Sequence, residues 1–161
     1  MKLKRMLLSM TAVAAMGLVL GPGAAQAAPV VERDGDTATA IRDLDVGGVL
    51  YDVVFVDQSS ATIYGDPPTF DFTTLGDAGA AVDAANAALN EETGITDVGE
   101  SSANNAPIFR VGFGVTGDGA TRATQIWGST PGDGADDVWV RALEPDFYPF
   151  LQAASFADFT P

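Results

Sequence analysis

Only one segment of this chain has clear helical periodicity, and β-rich sequence lies on both sides of it. Between Thr74 and Glu92, one face repeats apolar residues at helical spacing. The members of that face are Leu75, Ala78, Val82, Ala85 and Leu89. Thr74 is placed to cap the helix, Asp77 to complement its dipole and Gly94 to stop it. Asp83, Asn86 and Asn90 lie off the apolar face.

Strand patterns before and after this helix determine the predicted fold class. They do not alternate with further helices, so the order of elements is β-β-α-β-β-β. That order favours an α+β fold, with an antiparallel sheet and one main helix packed on it, over a doubly wound parallel sheet.

The two strands before the helix are predicted to form a hairpin at Gly47-Gly48. They are residues 39–46 and 49–56. A two-residue loop would set Asp43 opposite Asp52, and facing like charges destabilise a strand pair. A three-residue loop sets Arg42 opposite Asp52 instead, so we predict that register. Strand character continues to residue 64 in this interpretation.

After the helix, two Gly-Asp-Gly turns predict a meander of three antiparallel strands. The three strands are residues 108–116, 121–127 and 138–143. The aromatic stretch 147–150, flanked by prolines, is predicted to be a loop or short helix under the sheet. Phe156 and Phe159 are predicted to close the chain in an apolar tail.

Residues 1–27 have the pattern of a cleavable secretory signal peptide. The segment begins with three basic residues, Lys2, Lys4 and Arg5. An apolar run, residues 6–20, follows, and residues 25–27 form a cleavage motif with small residues at the required positions. The apolar run is shorter than the roughly 20 residues of a membrane span. We therefore predict a secreted or periplasmic protein without stable membrane insertion after cleavage. Residues 28–38 would be a flexible arm and residues 39–161 a single α+β domain.

Loss of that leader would leave an acidic chain with few catalytic side chains. The whole chain has eight Lys and Arg residues against 22 Asp and Glu residues, a formal charge of −14. Cleavage removes three basic residues, which leaves five arginines, a formal charge of −17 and neither Lys, His nor Cys. Ser-His-Asp and Cys-nucleophile catalysis, usual zinc or haem sites and Schiff-base chemistry are then excluded. The charge also argues against nucleic acid as a partner.

Two groups of residues are candidate binding sites. Asp133, Asp136 and Asp137 put three carboxylates into five residues, which suits Ca²⁺. The alternative is that these aspartates form turns and add solubility. Trp127 and Trp139 would stack on sugar rings if they are exposed on a sheet, and the alternative is that both are core residues. Alternation in its strand places Trp139 on the face opposite its two valine neighbours.

Residues 40–56, with the sequence AIRDLDVGGVLYDVVFV, resemble the opening of uncharacterised exported bacterial proteins of the PEP-CTERM sorting-domain type. An Asp- and Ala-rich helix like residues 77–92 follows in those proteins, and an ending similar to residues 156–161 precedes their sorting tail. The resemblance implies an exported, matrix-associated protein of unknown activity and carries no catalytic residues over to this chain. The Pro-Glu-Pro sorting tail is not present here, so we do not expect anchoring by that route.

Together these features predict a secreted, acidic, non-enzymatic protein of the cell envelope or extracellular matrix. Its expected partner is an extracellular polysaccharide or an envelope protein, and Ca²⁺ is the one cofactor considered. A carbohydrate-binding or Ca²⁺-assisted adhesive module is the first alternative. A carboxylate-based hydrolase is the second, because two carboxyl groups held about 5–10 Å apart can cleave glycosides.

Overall fold

A curled, nine-stranded sheet with two helices dominates the computed structural model, which describes residues 27–99, 107–131, 138–142 and 144–161. The strands are β1 Val30–Asp34, β2 Thr37–Val46, β3 Val49–Ser59, β4 Asp97–Val98, β5 Phe109–Thr116, β6 Ala123–Pro131, β7 Trp139–Arg141, β8 Asp146–Pro149 and β9 Ala153–Thr160. The helices are α1 Ser60–Tyr64, α2 Leu75–Glu91 and a short 3₁₀ turn, Gly119–Thr121. Hydrogen-bonded strands follow the order β1-β2-β3-β9-β5-β6-β7, with β4 beside β2 and β8 beside β6.

The predicted combination of a sheet with one main helix is confirmed, but the predicted strand order is wrong. The segment with Phe156 and Phe159 forms β9, which lies between β3 and β5. Its two phenylalanines are buried in different apolar clusters, one on each side of the sheet. A strand that is apolar on both faces belongs in the centre of a sheet. The arrangement also includes two short parallel pairings, β2 with β4 and β5 with β9.

Two further segments form strands where the sequence predicted none. Residues 30–34, inside the predicted flexible arm, pair antiparallel with β2 as β1. Val31 packs against the core, and Arg42 in β2 forms an ion pair with Glu32 at 3.0 Å. Residues 146–149 pair with β6 as β8. In both segments, cross-strand contacts determine a structure that local composition does not indicate.

The β2–β3 hairpin contains both of the registers considered from the sequence. Its turn is the two-residue Gly47-Gly48, both with positive φ, so the predicted three-residue loop is wrong. Between Ile41 and Leu44 the register shifts by one residue. Asp43 sits in this bulge with φ 56°, and its N–H donates to the Asp52 carboxylate at 3.3 Å. The bulge removes the direct Asp43–Asp52 pairing that the two-residue loop would impose.

The second strand of the hairpin, β3, is shorter than predicted, because it ends at Ser59 and α1 follows. The Ser59 hydroxyl accepts a hydrogen bond from the Thr62 N–H at 3.3 Å and caps α1. A serine at this position competes for backbone donors and favours a helix start over continued strand.

Helix α2 begins as predicted, with the Thr74 hydroxyl accepting from the Asp77 N–H at 3.1 Å. Four of the five predicted apolar-face residues are buried, and Leu75 is 47% exposed. Asn86, which was placed off this face, is also buried. Small alanine side chains let the helix backbone lie close to the sheet. Neither helix in the described ranges combines the length and apolar character needed to cross a membrane.

Apolar clusters lie on both faces of the sheet. The first face carries α2 and the larger cluster. The second face carries a smaller cluster: Tyr64, Ile126, Ala154 and Phe156. The loop between the helices reaches both, because Phe70 packs on Tyr64 while Phe72 packs on Phe159 at 5.0 Å between ring centroids. The chain therefore passes from the second face to the first beside β9.

Near this passage a side-chain hydrogen bond supplements the pairing of strands β5 and β9. Strands β5 and β9 share one bridge, Arg110 with Phe156. Two residues further along β5, the Gly112 N–H donates to the buried Tyr64 hydroxyl at 3.0 Å. A Cβ atom at Gly112 would lie 2.8 Å from the Tyr64 ring. Glycine is therefore required where the phenol supplements the strand pairing.

We predict that Gly112→Ala destabilises the protein by about 1–3 kcal/mol, because the added methyl group displaces the Tyr64 ring. Urea unfolding measures the change. Gly76→Ala is the matched control, since an added Cβ there meets only Thr74 at 3.8 Å and the site is helical. This control should be neutral or stabilising by up to about 1 kcal/mol. Equal effects of the two substitutions would contradict the role assigned to Tyr64.

Candidate functional site

Both tryptophans lie in the core between α2 and the sheet, where Trp127 is 8% and Trp139 is 2% exposed. Their indole N–H groups donate to the Leu75 and Ile95 carbonyls at 2.9 and 3.0 Å. Of the two interpretations considered for these indoles, their burial supports the core position and contradicts the sugar-stacking platform. Packing under α2 gives each ring more apolar contact than a solvent-facing position would. The predicted alternation around Trp139 is confirmed, because its neighbours Val138 and Val140 are exposed.

The predicted Ca²⁺ ligands Asp133, Asp136 and Asp137 lie outside the described residues, so that site stays a prediction. In the ranges that are described, no group of three or more Asp, Glu, His or Cys residues is arranged to hold a metal ion. Asp45 instead has a turn-forming role, since its carboxylate accepts a hydrogen bond from the Gly48 N–H at 2.6 Å.

Two asparagines connect α2 to strands β6 and β7 of the sheet. Asn90 donates to the Trp139 carbonyl at 3.0 Å and accepts from the Trp139 N–H at 2.6 Å. Buried Asn86, one turn earlier, accepts from the Ser129 hydroxyl. Sequence reasoning missed this role. The available signal was the i, i+4 spacing of two amide side chains beside the apolar face.

Ion pairs between described residues neutralise three of the five arginines that follow the predicted leader. Arg42 contacts Glu32 at 3.0 Å and Asp52 at 3.2 Å, which joins β1, β2 and β3. Arg122 contacts Asp66 at 2.7 Å, which joins the loop after α1 to the start of β6. The third pair, formed by Arg141, connects β7 to α2. These contacts use positive charge to connect elements that are distant in sequence.

The third ion pair, which connects β7 to α2, joins Arg141 to Asp83 at 2.9 Å. The remaining two arginines connect distant elements through hydrogen bonds to backbone carbonyls. Arg110 donates to the Ser155 carbonyl at 3.4 Å, and Arg33 donates to a backbone carbonyl after α2 at 2.9 Å. Three guanidinium groups also lie over aromatic rings: Arg110 over Tyr148 at 4.6 Å, Arg122 over Phe150 at 3.9 Å and Arg141 over Trp127 at 4.7 Å. All five arginines thus make contacts within the chain, and the ion pairs among the described residues join them to Glu32, Asp52, Asp66 and Asp83.

The carboxyl groups of Asp71 and Asp158 interact near the passage beside β9. Burial raises the pKa of the Asp71 carboxyl, and repulsion from Asp158 raises it further. Burial also raises the pKa of Asp158. The pKa of the Tyr64 hydroxyl is raised by burial and, to a lesser extent, by these two carboxylates. Burial is the main cause of all three shifts, so the ionised forms are disfavoured chiefly by lost solvation, and repulsion between carboxylates is the smaller cause at Asp71.

An open groove of about 450 Å³ lies on the second face at the hairpin end of β3. The groove is lined by the exposed apolar side chains of Leu50 and Val54, here called its floor, and by the charged side chains of Arg42, Asp43 and Asp52, here called its rim. Asp158 is directly opposite Val54 in the β3–β9 register and extends the acidic surface beyond the groove. This groove combines accessible apolar surface with excess negative charge.

Comparison of this chain with protein-family models, curated proteins and solved structures yields no match. The roles assigned to individual residues therefore rest on contacts, burial and charge within the chain. Three features carry the functional interpretation: the internal use of arginine, the Asp71–Asp158 carboxyl pair and the groove over Leu50 and Val54.

We predict that acrylamide quenches the fluorescence of the folded protein far less than that of the urea-unfolded chain, because both indoles are buried. The emission maximum of the folded protein should also be shifted to shorter wavelength. Trp127→Phe and Trp139→Phe assign the signal to each indole. Quenching of either folded-state indole at the rate of the unfolded chain would contradict the burial described above.

Asp158→Asn should stabilise the protein at pH 7. The raised pKa means that the folded state binds this proton more tightly than the unfolded chain does, so the ionised carboxylate reduces stability at neutral pH. The reduction is absent well below the ordinary value of 3.8 and develops as the pH rises through the raised pKa. Urea midpoints of variant and parent should therefore converge as the pH is lowered from 7 to about 4.

Glu91→Gln is the control for this pH series, since it removes the same charge from an exposed position near the end of α2. A stabilisation by Glu91→Gln as large as that by Asp158→Asn would show that net charge, rather than the environment of Asp158, causes the effect.

Proposed function

We propose that this chain is an exported, non-catalytic binding module of the cell envelope or extracellular matrix that holds a positively charged partner. The use of arginine supports this proposal. Each of the five arginines contacts other parts of the chain, while 22 acidic residues share those few cations. A surface of this kind attracts cationic groups and repels anionic polymers.

Export is proposed from the leader pattern of residues 1–27, which lie almost entirely outside the described residues. The resemblance of residues 40–56 to exported PEP-CTERM-type proteins supports the same location. Since Lys, His and Cys are absent after residue 5, a catalytic role would require carboxylates, hydroxyls or arginine. The arginines already have structural contacts, which favours binding over catalysis.

If this chain were a carboxylate-based enzyme, Asp71 and Asp158 would be the candidate pair of catalytic carboxyl groups. A retaining or inverting glycosidase needs two carboxyl groups with different protonation states facing a substrate groove. In this fold, burial raises the pKa of both groups. We interpret the pair as part of the acidic binding face, and turnover measurements distinguish the two roles.

The experiment expresses the full chain in a bacterial host, recovers the protein processed at Ala28 from outside the cytoplasm and tests it on polylysine-coated and polyglutamate-coated beads. We expect retention on polylysine at about 50 mM NaCl, release by about 500 mM NaCl and no retention on polyglutamate, because salt screens surface charge. Chromogenic glycosides and peptides should not be turned over. Cytoplasmic retention of the unprocessed chain, or turnover that Asp71→Asn or Asp158→Asn abolishes, would overturn the proposal.

A further inference from the structure

The second face of the sheet is covered in its middle and open at the hairpin end of β3. Val56 packs against the smaller apolar cluster beneath α1. Towards the hairpin, side chains alternate between the faces, and Val53 and Phe55 are buried in the larger cluster on the first face. On the opposite side, Val54 is 38% and Leu50 is 45% exposed. Apolar surface therefore continues beyond the covered cluster into the groove described above.

Charge around this apolar surface is negative despite the arginine beside it. Arg42 is held by Glu32 and Asp52 together, so one guanidinium faces two carboxylates. Asp43 adds a third carboxylate at the groove. Asp158, which is paired with Val54 on the neighbouring strand β9, adds a fourth carboxylate. A positively charged occupant would be attracted to these carboxylates, while a second copy of this acidic chain would be repelled.

The spacing of the groove residues favours an extended polypeptide over a small cation. Leu50, Asp52 and Val54 alternate along β3 and project on one face, about 7 Å apart. An extended peptide repeats its side chains at the same interval. Apolar side chains four residues apart would therefore lie over Leu50 and Val54, with a basic side chain between them near Asp43 and the Arg42-paired Asp52.

We propose that the groove over Leu50 and Val54 binds an extended segment of a partner protein in which apolar side chains alternate with Lys or Arg. This inference rests on the proposed function and specifies the site and the chemical class of its partner. Apolar contact with the floor supplies affinity, and the carboxylates at the rim select a basic segment and set its register.

The test uses the processed protein and a fluorescein-labelled peptide, Leu-Ser-Lys-Ser-Leu-Ser-Lys, with blocked ends. Fluorescence anisotropy measures its binding at about 50 mM NaCl, where surface charge is weakly screened. One comparison peptide, Ser-Ser-Leu-Leu-Lys-Lys-Ser, has the same composition without the alternation. Another replaces both lysines with Glu. We expect the alternating basic peptide to bind at least about tenfold more tightly than either comparison peptide.

Two double variants test the groove. Leu50→Ser with Val54→Ser removes the floor, and Asp43→Asn with Asp158→Asn removes two charges without disturbing the Arg42 ion pairs. Asn also tolerates the positive φ of Asp43. We expect each double variant to weaken binding by about three- to tenfold. Glu91→Gln with Glu92→Gln removes the same charge at exposed positions around the end of α2, on the opposite side of the sheet, and should leave affinity unchanged.

Each outcome has a defined meaning once circular dichroism and urea unfolding show that the variants are folded. Equal loss of binding in the Glu91–Glu92 control, or equal binding of the permuted peptide, would overturn the groove proposal while polylysine retention keeps the proposed function. Tighter binding of spermidine than of the peptide would overturn it in favour of a diffuse cation. A dimer in sedimentation that Leu50→Ser with Val54→Ser dissociates would assign the groove to a second copy. Absence of both peptide and polylysine binding would overturn both proposals.

Discussion

Scarcity of positive charge is the constraint on which this fold depends. Downstream of the predicted leader, five arginines serve 22 carboxylates, and each arginine contacts a different part of the chain. Arg42 joins three strands, while Arg141 connects β7 to α2 and lies over Trp127. Exposed ion pairs contribute little individually, but the cation–π contacts are partly desolvated and add packing as well as charge. Because the arginines already contact other parts of the chain and acidic residues outnumber them 22 to five, we expect a surface with net negative charge. That surface is the physical basis of the proposed binding function.

Passage of the chain beside β9 connects this electrostatic pattern to the shape of the sheet. Tyr64 supplements the single bridge between β5 and β9 and permits the loop after α1 to move from the second face to the first. Helix α2 then covers one face, whereas α1 covers only the middle of the other. The uncovered end is the groove over Leu50 and Val54. Asp158 is paired with Val54 on the neighbouring strand, so a carboxylate lies beside this opening.

The hairpin shows how much of the local structure could be predicted from the sequence. Gly47-Gly48 identified the turn, and the repulsion expected between Asp43 and Asp52 was a valid physical objection to a two-residue loop. The structure keeps that loop and relieves the repulsion with a bulge, an option that depends on both strands at once. Helix α2 and its Thr74 cap were predictable because they depend on neighbouring residues. The indoles, by contrast, are buried by contacts with distant elements, which decides between the core position and the sugar-stacking platform that the sequence left open.

The sequence by itself determined the helix, the turn between the first two strong strands, the alternation around Trp139 and the shortage of cations, since each depends on composition or on residues close together along the chain. Only the tertiary structure decided that residues 30–34 form a strand, that β9 occupies the centre of the sheet and that Asn86 and Asn90 connect α2 to it. It also decided where Asp158 and Val54 meet. These features arise from pairings between distant segments, whose free energy depends on cross-strand packing and burial rather than on local propensity.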